Sequence, residues 1–284
     1  HVANCEAARR GTPCRASSGR EVTRTTRACV LRYSLAPLDL GPRRLEAAVT
    51  ASALDISRIR AITLDLDDTL WPIWPTIARA EAVLLDWLAE HAPATRALHA
   101  STAALRALRD RVQQLRPELS CDLGALRRES IRMALQQAGD PPQLAEPAFE
   151  VFLAERQRVD LFDDALPALQ YLSRRWPVVA LSNGNADVHQ MGLGHYFHAT
   201  VSAREAGVPK PDARIFHQAA MAAGVGPDQV LHIGDDAHLD TQGAMQAGLQ
   251  AVWLNRAGSD WPLGSAQPHA TVASLHALPE LLTP

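Results

Sequence analysis

The sequence is almost without lysine. Of its 28 basic side chains, 27 are arginine and one, Lys210, is lysine. Arginine and lysine replace each other readily on a solvated surface, but not where a compact, strongly hydrated ammonium must act as a point charge. Composition alone does not separate a chance survivor from a functional residue, so the segments around Lys210 have to decide the question.

Other absences exclude whole classes of protein. No apolar run reaches the roughly 18 residues of a transmembrane helix, so we expect no integral membrane protein. Three of the four cysteines, Cys5, Cys14 and Cys29, lie near the amino terminus at spacings that match no zinc pattern, and only Cys121 lies in the rest of the chain. A single cysteine makes no disulfide framework, which is typical of a cytoplasmic protein.

The net charge of -3 hides a division of the chain. Residues 1–60 hold 11 arginines against 5 acidic residues, whereas residues 61–284 hold 17 basic and 26 acidic residues. Such an acidic body is a poor surface for nucleic acid, so we expect no nucleic-acid partner. Residues 1–55 also lack sustained apolar periodicity, and we expect them to be a disordered or spurious N-terminal extension.

The rest of the chain alternates short apolar runs with helical patterns. Apolar strands that alternate with helices indicate a parallel sheet with helices on both faces, which is an α/β fold. In such sheets ligands bind beyond the carboxyl ends of the strands, where three of these runs end in polar clusters. The predicted strands are residues 59–66, 178–181, 199–202, 230–233 and 251–254.

One connection is far longer than a parallel crossover requires. The chain runs 117 positions from Asp65 to Ser182, whereas a crossover needs only about a dozen residues. We therefore expect an inserted helical bundle at residues 73–163, and a core made of residues 56–72 and 164–284. Helical spacing predicts four amphipathic helices in it, at residues 76–90, around Leu105, Leu108, Val112 and Leu115, around Ile131, Leu135 and Ala138, and at residues 146–159.

Acidic residues follow the first predicted strand directly. Asp65 and Asp67 are the first and third residues of the segment Asp-Leu-Asp-Asp-Thr. A chain that turns after its last strand residue can aim both carboxylates into one cavity, where they repel each other unless a cation or proton lies among them. A solvated turn would not need a buried apolar strand before it, so we interpret this pair as functional.

Three further segments carry chemistry at the same predicted edge. Ser182 and Asn183 follow the second strand and offer a hydroxyl and backbone N–H groups, which suit phosphate oxygens. Lys210 lies between two prolines just before a helix. A second acidic cluster at residues 235–240 supplies hard oxygen ligands, which indicate Mg²⁺.

Together, these four segments resemble the haloacid dehalogenase (HAD) superfamily of hydrolases with an aspartate nucleophile. Its pattern is a strand then Asp-x-Asp-x-Thr, a strand then Ser or Thr, a Lys before a helix, and a strand then Gly-Asp with a later Asp. The resemblance covers about residues 56–284 and implies a Rossmann-like core with an inserted type 1 helical cap. The chain matches the pattern at Asp65, Asp67, Thr69, Ser182, Lys210, Asp235 and Asp240.

The resemblance also implies a role for each residue. Asp65 would be the nucleophile, Asp67 the general acid and base, and Lys210 a further catalytic residue. Mg²⁺ would be bound by Asp65, by Asp235 and by the backbone carbonyl of Asp67. Asp236 or Asp240 would support Lys210 or a metal-bound water, and the sequence leaves that choice open. Phosphate would be bound by Thr69, Ser182, Asn183 and Lys210.

The same resemblance suggests a substrate. Residues 58–71, 180–197 and 230–255 are closely similar to bacterial phosphatases that act on flavin mononucleotide and on the phosphorylated ribitylaminouracil of riboflavin synthesis. We therefore expect a Mg²⁺-dependent phosphomonoester hydrolase for a small phosphorylated metabolite, as a monomer or homodimer. The alternatives are a phosphomutase, a dehalogenase, which has no use for Asp67, and a catalytically silent binding module, which would not need these residues.

Overall fold

A six-stranded sheet forms the centre of the protein. The computed structural model describes residues 53–264 and 266–283, so the expectation for residues 1–55 falls almost wholly outside the described residues. All neighbouring strands are parallel, in the order β3-β2-β1-β4-β5-β6, and the predicted α/β class is confirmed. The strands are β1 Ala61–Leu64, β2 Val178–Ser182, β3 Ala199–Ser202, β4 Val230–Gly234, β5 Gln250–Leu254 and β6 Ala270–Val272.

The long connection between β1 and β2 contains a helical bundle with its own apolar core. Its helices are α1 Ile73–His91, α2 Pro93–Leu98, α3 Thr102–Leu115, α4 Leu123–Ala138 and α5 Ala145–Arg156. The four predicted helices are all present, but Leu115, predicted on an apolar face, is 53 % exposed because α3 ends there. The division at residues 73–163 into a separate cap domain stays a prediction. Among the described residues, no helix is long and apolar enough to cross a bilayer.

The turn after β1 prepares the start of α1. Asp68 has a φ of 58°, in the left-handed region that Asp tolerates better than most residues. Its carboxylate accepts a hydrogen bond from the Ile73 backbone N–H at 2.9 Å, which satisfies one of the donors that a helix start leaves without a partner. The chain therefore passes from the edge of the sheet into the bundle within a few residues.

Burial of both faces of the sheet explains its continuously apolar strands. Successive side chains of a strand point to opposite faces, so Ile62 and Leu64 enter one apolar cluster and Ala61 enters another. Helices α6 Ala165–Ser173 and α10 Leu278–Leu281 contribute residues to the first cluster. Helices α7 Ala203–Ala206, which directly follows β3, α8 Ala213–Ala222 and α9 Gly243–Gln246 contribute residues to the second.

The strand order places a crevice at the middle of the sheet. From β1 the chain continues through β2 to β3 on one side, and then returns to β4 on the other side of β1. A reversal of this kind opens a crevice beyond the carboxyl ends of the strands, where ligands bind. Asp65 directly follows β1 and Asp235 directly follows β4, so the fold brings the two predicted acidic strand ends together.

Candidate active site

Lys210 lies at the centre of a buried polar cluster at this crevice. Its Nζ is 2.5 Å from Asp65 Oδ1, 2.5 Å from Asp240 Oδ1 and 3.1 Å from the Leu181 carbonyl oxygen. An ammonium group has three N–H donors, so each has a partner. Only 4 % of Lys210 is exposed to solvent. Its ammonium group is therefore a cation held in a fixed position among three oxygen atoms.

The neighbouring carboxylates keep Lys210 charged. Burial alone would lower the pKa of its ammonium, but the charges of Asp240 and Asp65 outweigh burial and hold that pKa above its ordinary value. At Asp240, burial would raise the pKa, but Lys210 and His232 outweigh it and hold the pKa of this carboxyl below its ordinary value. A positive charge therefore remains here at neutral pH, as binding of phosphoryl oxygens would require.

The backbone of Lys210 is held by the side chain of Asn183. Asn183 Oδ1 accepts a hydrogen bond from the Lys210 backbone N–H at 2.7 Å, and Asn183 Nδ2 donates one to the Lys210 carbonyl oxygen at 3.1 Å. These reciprocal bonds join the loop after β2 to the loop before α8. The sequence predicted only a phosphate contact for the Asn183 backbone, so this use of its side chain is an additional finding.

Asp240, rather than Asp236, contacts the lysine. Asp240 lies in a π-helical turn after β4 and is hydrogen-bonded to His232 Nε2 at 3.2 Å and to the Asp236 backbone N–H at 3.1 Å. The Asp236 carboxylate is exposed and accepts hydrogen bonds from the first N–H groups of that turn. His232 is fully buried and is joined to Thr63 at 2.8 Å; no sequence pattern had marked it.

Three carboxylates of the cluster could share a cation. One oxygen atom each from Asp65, Asp235 and Asp240 lies within 4.8 Å of the others. Burial, followed by the charges of Asp240 and Asp68, raises the pKa of Asp235 to about 7. The positive groups of the protein therefore offset the negative charge of the Asp235 carboxylate only in part. Hard carboxylate oxygens suit Mg²⁺, and these residues therefore fit a divalent cation. Both oxygens of Asp240 already have partners, which leaves Asp65 and Asp235 as the available pair.

Ser182 and Thr69, both predicted to bind phosphate, have different partners. Ser182 ends β2, and its Oγ accepts a hydrogen bond from the Gly184 backbone N–H at 2.9 Å, which leaves its own hydroxyl proton available to donate. The hydroxyl of Thr69 donates to Asp235 Oδ1 at 3.2 Å, so the contact that the structure gives it supports the second acidic strand end. The phosphate contacts of both residues stay predictions.

Asp67 has a separate set of partners. Its Oδ1 accepts hydrogen bonds from Trp71 Nε1 at 2.8 Å and Arg156 Nη2 at 2.6 Å, and its Oδ2 accepts from the same Nη2 at 2.9 Å. A Cβ at position 184 would lie 2.7 Å from Asp67 Oδ2, so any larger residue there would displace the Asp67 carboxylate. The predicted contact of a metal with the Asp67 backbone carbonyl stays a prediction.

Two consecutive residues at the end of α5 connect the bundle to this site. Arg156 is 1 % exposed and holds Asp67, as described above. Gln157 donates to the Asn185 carbonyl oxygen at 3.0 Å and accepts from the Asp187 backbone N–H at 2.9 Å. Sequence reasoning missed both residues, because one arginine among 27 carries no signal and Asp67 is 89 positions away.

Comparisons with known proteins agree with this arrangement. A family model described as haloacid dehalogenase-like hydrolase matches residues 59–248. The chain is 33 % identical, over 80 % of its length and 98 % of the relative, to the 5-amino-6-(5-phospho-D-ribitylamino)uracil phosphatase YigB of Escherichia coli (strain K12). It is 37 % identical to the phosphoserine phosphatase of Thermus thermophilus, over 47 % of this chain and 56 % of that protein.

A solved structure extends the comparison to the whole fold. The crystal structure of a 2-haloacid dehalogenase from Pseudomonas syringae pv. Tomato DC3000 has a TM-score of 0.74 and 38 % sequence identity, over 79 % of this chain and 98 % of that chain. The family match includes β1, the helical bundle, Lys210 and the acidic segment after β4. The chain therefore belongs to the haloacid dehalogenase-like family of hydrolases.

Proposed function

We propose that this protein is a phosphomonoester hydrolase that acts through an aspartyl-phosphate on a small phosphorylated metabolite and requires Mg²⁺. The observation that carries the proposal is the presence of two carboxylates with different partners at one sheet edge. Asp65 lies beside the Lys210 ammonium, whereas Asp67 is held by Arg156 and Trp71. Two carboxyl groups in distinct surroundings suit the separate tasks of nucleophile and proton donor.

The residues of the site account for both halves of the reaction. Asp65 attacks phosphorus, the bond from phosphorus to the ester oxygen breaks, and an aspartyl-phosphate forms. Asp67 gives its proton to the leaving oxygen and later takes one from the water that attacks the aspartyl-phosphate, which releases inorganic phosphate and restores Asp65. The Ser182 hydroxyl and the Asn183 backbone N–H bind the phosphoryl oxygens throughout, and the positive charge of Lys210 stabilises the negative charge on them.

The remaining acidic residues serve the metal and the lysine. Asp65, Asp235 and the backbone carbonyl of Asp67 are the ligands that we propose for Mg²⁺. When bound, the ion supplies positive charge that reduces repulsion between the nucleophile and the phosphate. Asp240 positions Lys210, and the hydroxyl of Thr69 positions Asp235.

Flavin mononucleotide and the ribitylaminouracil phosphate of riboflavin synthesis are the substrates that we propose first. The E. coli relative named for the second compound is similar to 80 % of this chain over 98 % of the relative's own length, and the segments at residues 58–71, 180–197 and 230–255 include three of the four motifs. The cytoplasmic location and the monomeric or homodimeric state stay predictions.

A dehalogenase is the second candidate, because the P. syringae protein of that name is 38 % identical to this chain. Release of a halide ion needs no proton donor, whereas release of an alkoxide does. The presence of Asp67 beside Asp65, where Trp71 and Arg156 hold it in place, therefore favours the phosphatase. A phosphomutase would use the same core residues and stays an alternative, as does a catalytically silent binding module.

Phosphate and halide release, measured side by side, test the proposal. We expect phosphate release from flavin mononucleotide or 4-nitrophenyl phosphate with Mg²⁺, loss of that release with EDTA, and no chloride release from 2-chloropropionate. Asp65→Asn should abolish turnover without unfolding the protein, whereas Asp86→Asn, at an exposed position on α1, should leave it unchanged. Chloride release without phosphate release would overturn the proposal in favour of the dehalogenase.

A further inference from the structure

A cavity of about 260 Å³ lies beside Asp67, between the helical bundle and the loop after β2. Gly184 and Asn185 line it from that loop, and residues of α1, α3, α4 and α5 line the rest. If Asp67 gives its proton to the leaving oxygen, as the proposed function holds, the alcohol portion of the substrate has to lie next to this carboxylate. This cavity, which Asp67 itself lines, is therefore a space that can receive the leaving group.

Positive charge dominates the walls of this cavity. Arg109, Arg127 and Arg156 all line it, and Asp67 is the only acid among the described residues that do so. Arg156 is buried, and its Nη1 has no hydrogen-bond partner in the part of the chain that the structure describes. A buried donor without a partner costs free energy, so a ligand oxygen within reach would satisfy a group that the protein leaves unsatisfied.

Arg127 is also incompletely paired. Its guanidinium is 3.5 Å from the buried carboxylate of Glu81, but Arg106 already binds that carboxylate through two nitrogens at 2.6 to 3.1 Å. The guanidinium carbon of Arg127 lies 3.8 Å from the centroid of the Phe152 ring. Burial and the charge of Arg109 lower the pKa of Arg127 to about 10. Arg127 therefore stays a cation at neutral pH, and its guanidinium N–H groups beside the cavity can still donate hydrogen bonds to a ligand.

The remaining walls fit a flat or apolar body. Leu126 and Phe152 are buried in the wall, while Trp74 lines the cavity and is 63 % exposed. Indole rings stack readily on planar groups and on aliphatic chains. A complementary leaving group therefore combines such a body with oxygen atoms that accept hydrogen bonds from arginine.

We propose that Arg109 and Arg127 form a leaving-group site that binds carbonyl or carboxylate oxygens of the alcohol portion of the substrate. This inference rests on the proposed function, because it extends the same active site. Carbonyl oxygens of a heterocycle and the oxygens of a carboxylate share the required chemistry, since both accept hydrogen bonds from a guanidinium fork. Phosphate esters without such oxygens are poor substrates for this site.

Arginine variants assayed on three matched substrates test the proposal. Flavin mononucleotide carries ring carbonyls, phosphoserine carries a carboxylate, and phenyl phosphate carries neither. We expect Arg127→Gln to lower kcat/KM by about 10-fold or more for at least one of the first two, and by less than about 2-fold for phenyl phosphate. The substrate that is affected identifies which kind of oxygen is bound. An equal change on all three, or no change on any, would overturn the proposal.

Two further variants distinguish the loss of a ligand contact from a general disturbance of the fold. Arg109→Gln removes a side chain that is 29 % exposed, so it should affect folding little and give the same selectivity as Arg127→Gln. Arg132→Gln is the matched control, because Arg132 lies on α4 with Arg127 but pairs with Glu129 and Glu146 away from the cavity. A selective loss in this control would count against the assignment.

Binding of the dephosphorylated products separates this inference from the proposed function. Riboflavin binding is followed by its fluorescence and L-serine binding by calorimetry, with no need for turnover. Weaker binding of either product to Arg127→Gln than to the unaltered protein supports the leaving-group site even if no phosphate ester is hydrolysed. Unchanged binding, or no binding of either product to the unaltered protein, overturns the site even if phosphatase activity is found.

Discussion

Lys210 shows why one basic position holds lysine in a chain whose other 27 basic residues are arginine. Its ammonium occupies a space bounded by Asp65, Asp240 and the Leu181 carbonyl oxygen. Three donors on one nitrogen match three acceptors around a point, whereas a guanidinium spreads its five donors over a plane. The near absence of lysine thus becomes informative once these contacts are known.

Lys210→Arg should lower kcat for phosphate release by about 100-fold or more, because a planar, diffuse cation cannot stabilise the phosphoryl oxygens from the same place. Steady-state kinetics with Mg²⁺, together with circular dichroism to verify folding, measure this effect. Arg214→Lys, the reverse type of exchange on an exposed residue of α8, is the control and should be neutral. Near-normal turnover by Lys210→Arg would remove Lys210 from the proposed chemistry.

At the scale of elements, the end of α5 is the connection between bundle and site. Arg156 donates from the bundle to both oxygens of Asp67, and the neighbouring Gln157 fixes the loop after β2. Any movement of α5 away from the sheet would break these bonds. We therefore regard Arg156 as a positioning residue, whose effect on the reaction is transmitted through the orientation of Asp67.

Arg156→Gln should lower kcat/KM about 100-fold for an alkyl phosphate, because misoriented Asp67 protonates the leaving oxygen poorly. The loss should be below about 10-fold for 4-nitrophenyl phosphate, whose leaving group needs little protonation. Because kcat/KM reports the first half-reaction, comparison of the two substrates isolates this proton transfer.

Two companion variants make the role of Arg156 specific. Arg156→Lys should recover part of the lost activity, since it keeps a donor and the charge. Arg158→Gln changes an arginine that is 80 % exposed two positions further on, and it should be neutral. If Arg156→Gln reduced the rates with both leaving groups equally, its action through Asp67 as an acid would be excluded.

At the scale of the whole molecule, Asp164 ties together distant parts of the core. This buried carboxylate accepts hydrogen bonds from Arg256 after β5, and from Ser274 Oγ and the Leu275 backbone N–H after β6, at 2.6 to 2.9 Å. Arg256 also donates to the Thr69 carbonyl oxygen at 2.8 Å. Asp164 and Arg256 together thereby join the start of α6, two strand ends and the turn after β1.

These bonds make Asp164 a source of stability that depends on pH. Burial would raise the pKa of its carboxyl, but the hydrogen bonds from Arg256, Ser274 and Leu275 outweigh burial and hold the pKa below its ordinary value of 3.8. A carboxyl with a lower pKa in the folded state stabilises the fold above its unfolded pKa. That contribution is lost as the pH falls through the folded pKa.

Asp164→Asn should therefore lower the free energy of unfolding by about 2 to 3 kcal/mol at pH 7. The difference from the unaltered protein should stay constant down to about pH 5 and shrink below about pH 4, where Asp164 becomes protonated first in the unfolded chain and, at lower pH, in the folded protein. Urea unfolding followed by circular dichroism at several pH values measures it. Asp86→Asn should show neither effect, and a difference that did not vary with pH would refute the assigned role.

The sequence predicted most of the fold because its signals are local. Short apolar runs located β1, β2, β4 and β5, the runs of β1, β2 and β4 ending in polar clusters, and a weaker run located β3. Repeated apolar spacing located α1 and α5 within a few residues of their ends, and it marked positions inside α3 and α4 without fixing where those helices begin and end. The strand β6 has only three residues and α2 only six, so neither contains enough repeats to show a period.

The candidate site was predicted in part, for the same reason. Asp65, Asp67, Ser182 and Asp235 lie at or just after strand ends, and parallel strands bring those ends to one edge. Lys210 was recognised instead as the single lysine, placed just before a helix. The choice between Asp236 and Asp240 could not be made, because it depends on which carboxylate the turn after β4 directs to Lys210. That turn is π-helical, and no residue pattern in the segment distinguishes it from an ordinary helix start.

What the sequence determined by itself is the set of residues that follow the strands, and hence the class of chemistry at the edge of the sheet. Only the tertiary structure decided which groups from other parts of the chain contact those residues. Examples are Arg156, which is hydrogen-bonded to Asp67, and His232, which is hydrogen-bonded to Asp240. The physical reason is that periodicity and strand ends are encoded within short segments. Contacts between segments depend instead on how helices pack on the sheet, and one arginine or histidine among many carries no mark of its partner.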